Sequence, residues 1–198
     1  QVDDGSMTVE RWGREAASLG LDGFDICSSF IRRFTPVYLR KIREFLAQSP
    51  IPLVMMNAYP DFTHPDAMQR RRELDYFIAL IAACSYLDIP YLRMLAGQAW
   101  PEVSVEQGVE YIGEAFSRAA VAARDYGVTL LYENYAKPPD WDYQDFGCQL
   151  RVFRRILQFV NGRTIRLNFD VANAAIAGGE PLTLLREIYP LVETVHLS

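Results

Sequence analysis

Glu133, Asp170 and His196 are the side chains of this sequence best placed, by type and spacing, to do chemistry together. Each stands at or near the end of a short alternating run: VTLLYENY at 128–135, TIRLNFD at 164–170 and TVHL at 194–197. In an extended chain successive side chains point to opposite faces. One face of the first run then carries Thr129, Leu131 and Glu133, against Val128, Leu130 and Tyr132. The second divides into Arg166, Asn168 and Asp170 against Ile165, Leu167 and Phe169, and the third into Thr194 and His196 against Val195 and Leu197. A lone inward carboxylate or imidazole is usually a hydrogen-bonded structural group. Three at equivalent strand ends are harder to explain that way. Two converging carboxylates repel and raise one pKa, a cost that a bound cation removes. Two carboxylates with one imidazole form a donor set for Mn²⁺, Mg²⁺, Co²⁺ or Zn²⁺.

Those three runs belong to a longer alternation. Helical spacing, N-caps and terminal glycines predict helices over 8–19, 36–48, 66–86, 104–126, 149–160 and 182–189. Between them lie strand-like runs at 23–27, 52–59, 91–97, 128–135, 164–170 and 194–197. Ser104 and Gln107 have capping-box spacing, and Gly127 stands where a helix would end. Strands that alternate with helices pair in parallel, because each crossover returns the chain to the same end of the sheet. No G-x-G-x-x-G or P-loop sequence follows any strand, which lowers a nucleotide-binding reading. A sheet covered on both faces tends to be apolar on both. Here one face turns polar toward the strand ends, as in a barrel whose chemistry sits at its C-terminal mouth. The predicted fold is therefore α/β, a parallel (β/α)₈ TIM-type barrel.

The bulk properties agree. The chain has 198 residues, 50% of them hydrophobic, which suits one domain over 1–198. A net charge of −5 argues against nucleic-acid or membrane-surface partners. No run is long and apolar enough to span a membrane. Residues 1–5 lack the features of a secretory signal. The three cysteines, Cys27, Cys84 and Cys148, form no C-x-x-C, and are expected to be buried and reduced in a cytoplasmic protein. Self-association as a homo-oligomer is left open.

The motifs bring the chain close to a known family. LGLDGFDI (19–26), YLRMLAG (91–97), GVTLLYENY (127–135), LNFDVANAAIAGGEP (167–181) and VETVHLS (192–198) together resemble the xylose isomerase-like barrel superfamily, in its sugar phosphate isomerase and epimerase branch. The resemblance implies one divalent metal ion held by Glu133, Asp170 and His196, with Glu133 also a catalytic acid/base. It implies a substrate of sugar or polyol type and an isomerase or epimerase that transfers a proton through an enediolate. It places Asn173 where the family often has a histidine, in a D-x-x-[HN] pattern, and assigns it to substrate. It also implies a further glutamate ligand from an eighth strand and a first strand before Gln1, so that this sequence spans helix one to strand seven of a barrel truncated at both ends.

Other substrate-binding candidates come from strand ends and the loops after them: Asn57, His64 and Trp100, with Tyr59 and Gln98 beside them. Arg93 alternates with Leu92 and Met94 and is expected to point inward and pair with an acid. The Arg70-Arg71-Arg72 run suits a phosphate or a solvated helix face. Trp141, Tyr143 and Phe146 are candidates for a lid. Three competing functions share this fold. A nuclease of the endonuclease IV type needs a histidine-rich three-zinc site, and this chain has only His64 and His196. An inosose or dehydroshikimate-type dehydratase uses the same metal site. A non-catalytic sugar-binding relative is the third.

Overall fold

The computed structural model describes residues 7–197, so the N-terminal stretch at 1–5 lies outside the described residues. In chain order the elements are α1 (Val9–Ser18), β1 (Phe24–Cys27), α2 (Pro36–Leu46), β2 (Leu53–Asn57), α3 (Ala67–Tyr86), β3 (Tyr91–Met94), α4 (Val105–Tyr126), β4 (Thr129–Glu133), α5 (Leu150–Ile156), β5 (Ile165–Asp170), α6 (Val171–Ile176), α7 (Pro181–Ile188) and β6 (Val192–His196). Helices α1, α3, α4 and α6 begin where short polar side chains satisfy their first amides. Thr8 accepts from the Arg11 amide, and Asp66 from those of Met68 and Gln69. The capping box of Ser104 and Gln107 is formed, and Gly127 ends α4 with φ 70°, a left-handed turn that glycine adopts without strain.

All six strands are parallel and neighbour one another in sequence order. A doubly wound sheet reverses its strand order at a switch point. The absence of any reversal makes this the wall of an incomplete α/β TIM barrel. Among the described residues β1 and β6 each keep one unpaired edge. The outward strand faces pack under the helices: Leu92, Leu130, Tyr132, Leu167 and Phe169 are buried with Ile81, Phe116 and Phe153. Val195, outward on β6, is 46% exposed.

Several boundaries differ from the sequence expectation. β2, β3 and β4 stop before Tyr59, Gly97 and Tyr135 because these residues already belong to the loops at the C-terminal rim. Gly97 has φ 124°, and a Cβ there would meet the Thr63 and Asp61 side chains. The predicted helix over 149–160 is split into α5 and a 3₁₀ turn at Leu157–Phe159. α6 was not expected; Asp170, read only as a strand end, also caps it through the Asn173 amide. β6 starts at Val192, two residues early, where the Arg166 guanidinium holds the Val192 carbonyl at 2.9 Å. All three cysteines are free; Cys84 and Cys148 are buried, whereas Cys27 is half-buried rather than buried as expected. Among the described residues no helix is long and apolar enough to cross a membrane.

Candidate metal centre

The strand register brings the three chemistry-bearing residues together. Glu133 pairs with Asn168 across β4 and β5, and Asp170 with His196 across β5 and β6. Because alternation puts Glu133, Asn168, Asp170 and His196 on one face, their side chains converge inside the wall. Glu133 and Asp170 are buried, and the His196 side chain is 30% exposed. His196 Nδ1 lies 2.8 Å from Glu133 Oε1 and 3.0 Å from Asn168 Nδ2. The Thr194 hydroxyl donates to Asn168 Oδ1 at 2.7 Å, which turns the amide nitrogen toward the imidazole. The Glu133 carboxylate raises the His196 pKa above its ordinary value, against the lowering effect of burial. Asn134 fixes Asp170 from behind: its amide nitrogen donates to the Asp170 carbonyl and its oxygen accepts the Asp170 amide, each at 2.8 Å.

Arg93 is the centre of the remaining network. Its side chain is 3% exposed and its Nε lies 2.8 Å from Glu133 Oε2. The Nε proton is directed at Asn57 Oδ1, 3.0 Å away, so Oε2 gains charge compensation without a directed hydrogen bond. Asn57 in turn donates to Asp25 Oδ2 at 2.8 Å. The other end of the guanidinium donates to the Ala58 carbonyl and the Tyr59 hydroxyl and lies over the Tyr59 ring, 4.4 Å from its centroid. Burial disfavours the charged guanidinium, but Glu133 and the neighbouring tyrosines outweigh it and the Arg93 pKa is raised. A polar chain thus runs from Asp25 on β1 through Asn57, Arg93 and Glu133 to His196 on β6.

The residues fit a divalent ion. Donors bound to one ion at roughly 2.0–2.6 Å lie at most about 4–5 Å apart. The donor atoms of Glu133, Asp170 and His196 all lie within 4.8 Å of one another. The Glu133 carboxylate is divided, with Oε1 toward His196 and Oε2 toward Arg93. A cleft of about 340 Å³ between the β1 and β6 edges reaches His196 and Asp25.

The other sequence candidates sort differently. Asn57 is part of the network, joined to Glu133 through Arg93 by one hydrogen bond and one ion pair. Asn173 Oδ1 accepts the Ala136 amide at 3.1 Å and so ties α6 to the loop after β4. His64 and Trp100 sit edge to face, 4.9 Å apart, and share no hydrogen bond with the triad. His64 Nδ1 accepts the Asp66 amide, and the Trp100 indole donates to Asp61 Oδ2. Of the lid candidates, Tyr143 packs on Trp100, and Phe146 is buried against Gly108. Asp25 and Asn134 were missed. Asp25 shares a face with Gly23 and Cys27 in GFDIC, and the alternation argument applied there would have found it. Nothing in the sequence signals that Asn134 clamps the Asp170 backbone.

A second acidic group underpins the loops. Asp61 accepts from the Gln98 amide, the Gln98 side chain, Thr63 and Trp100. Asp145 accepts from the amides of Gly147 and Ala96, yet burial pushes its carboxyl up to about 8. These oxygens face donors rather than one another, so the group is a structural brace for the loops after β2, β3 and β4.

The model of the xylose isomerase-like TIM barrel family matches residues 14–198. No curated protein matches the chain. Among solved structures it is similar to a 3-keto-D-glucoside 4-epimerase from E. coli, at 14% identity and TM-score 0.80, over 96% of this chain and 74% of that one. It is similar to a D-psicose 3-epimerase with D-tagatose from Clostridium cellulolyticum H10, at 14% identity and TM-score 0.79, over 96% and 68%. It is also similar to a probable 3-DHS dehydratase involved in petrobactin synthesis from Bacillus anthracis, at 13% identity and TM-score 0.75, over 96% and 68%. At these identities the likeness is one of fold.

Proposed function

We propose that this chain, which belongs to the xylose isomerase-like TIM barrel family, is a divalent-metal-dependent isomerase or epimerase of a sugar or polyol, acting by proton transfer through an enediolate. The observation that carries the reading is the convergence of Glu133, Asp170 and His196 within 4.8 Å at the strand ends. Glu133 Oε1, Asp170 and His196 would hold the ion, which when bound supplies Lewis-acid stabilisation of negative charge on a substrate oxygen. The protein residues do the rest. Arg93 keeps the buried Glu133 in one orientation. Asn168 and Thr194 fix the imidazole plane. Asn134 fixes the backbone that carries Asp170. Glu133 accepts and returns the carbon-bound proton from a rigid strand end, as a base must to stay within reach. Asn57, Asn173, His64 and Trp100 are the proposed substrate contacts, with a cytoplasmic location.

The similarity to a probable dehydratase favours a second reading, elimination of water after the same proton abstraction. A screen of ketoses, inososes and hydroxypyruvate in deuterated water, with Mn²⁺ present, separates the two. Incorporation of deuterium into recovered substrate or its epimer, lost by about 10²-fold or more in Glu133→Gln, supports epimerisation. Release of an enone-type product supports elimination. No exchange and no product with any of them counts against both.

A further inference from the structure

A second site lies outside the barrel. Between α3 and α4, on the side away from the triad, a cleft of about 370 Å³ opens under the loop after β2. Its floor is apolar, formed by Phe62, Leu74 and Ala115. Its rim carries three guanidinium groups from two helices, Arg70 and Arg71 on α3 and Arg118 on α4. We propose that this cleft binds a small phosphorylated molecule, its phosphate on the arginines and its body against the apolar floor.

Three observations point that way. The volume falls in the range of small-molecule sites. Arg70 is held in place before any ligand arrives. Its guanidinium lies 3.7 Å from the Tyr111 ring centroid, and one terminal nitrogen donates to the His64 and Pro65 carbonyls at 2.7 and 3.0 Å. A planar fork anchored by one nitrogen presents its others at little further entropic cost, which suits the tetrahedral oxygens of phosphate. The positive charge is also poorly neutralised. Among the described residues Arg70 and Arg118 have no carboxylate partner within ion-pair distance, and Arg71 reaches only Asp75, at 3.9 Å. Glu114, the one acid in the lining, lies in the cleft without pairing to any of the three, so the lining carries three positive charges against one negative. This occurs in a chain whose net charge is −5. A rim designed only for solvation would be expected to interleave its acids with its bases, as Arg154 and Glu187 do on another face.

The test uses the full chain and two probes, inorganic phosphate and pyrophosphate, titrated while the arginine Nε–H and backbone amide resonances are followed by NMR. Saturable shifts are expected at Arg70, Arg71 and Arg118, with pyrophosphate the tighter probe. Arg118→Glu, an exposed change that leaves the fold intact, should weaken binding by about tenfold or more, since each charge-assisted contact is worth about that factor. Arg70→Lys, which keeps the charge but loses the stacked fork, should weaken it less. Because neither position lies in the triad, metal binding should be unchanged in both variants. Shifts that never saturate, that map elsewhere, or that survive Arg118→Glu would each overturn the proposal.

Discussion

Replacing Arg93 with methionine tests the network at its centre. Arg93 and Glu133 are 3% and 0% exposed in their side chains, and the pair is separated by 2.8 Å. Removing the guanidinium leaves Glu133 as a buried charge whose nearest cationic partner is gone. Breaking a buried pair from one side costs about 3–5 kcal/mol. The hydrogen bonds to Asn57, Ala58 and Tyr59 are lost as well, while methionine refills much of the volume. For a chain of this length that cost corresponds to a fall in Tm of roughly 6–20 °C. Urea denaturation of the metal-free protein gives the free energy directly. Arg93→Met/Glu133→Gln should recover much of the loss, because the stranded charge is removed with its partner. Saturating Mn²⁺ should recover part of it in the single variant, since the ion supplies the missing positive charge. A single-variant loss below about 1 kcal/mol, or a double variant that is simply additive, would refute the coupling.

Two further expectations concern the scaffold. Phe146 packs its ring on Gly108, where a Cβ would overlap it; Gly108→Ala should cost about 1–3 kcal/mol by overpacking and loosen the loop after β4, read by urea denaturation and by the loss of amide protection there. The Asp145 carboxyl, pushed up to about 8 from 3.8 by burial, binds its proton more tightly in the folded chain. Its contribution to stability is therefore full below about pH 4 and is lost progressively as pH rises through about 8, so stability measured by urea at about pH 5, 7 and 9 should carry a falling component that Asp145→Ala removes.

The alternation of side chains across three short strands was enough to place Glu133, Asp170 and His196 on one face, because a period of two leaves no choice of face once one apolar side is buried. The same logic found Arg93. What the strands do to each other was legible too, since helices between strands force parallel pairing. Loop chemistry was less accessible. The indole nitrogen of Trp100, a substrate-binding candidate, is held by Asp61, a partner 39 residues away that no local pattern reveals. Phe146 looked like a lid residue because it sits among aromatics, but the glycine that receives it lies on α4, 38 positions earlier. The double role of Asp170, strand end and helix cap, was hidden because the alanine-rich VANAAI segment lacks the apolar periodicity of a long helix.

One ion held by Glu133, Asp170 and His196 is the centre of the proposed chemistry. Calorimetric titration of Mn²⁺ into the metal-free protein, repeated with Asp170→Asn and His196→Ala, measures that claim directly. We predict one ion per chain and, at about one hundred times the dissociation constant, a stabilisation of about 2.7 kcal/mol in a parallel thermal melt. Both variants should lose the binding and the shift together. A protein that takes up no ion, or whose variants bind as the parent does, would contradict the assignment of Glu133, Asp170 and His196 as a metal centre.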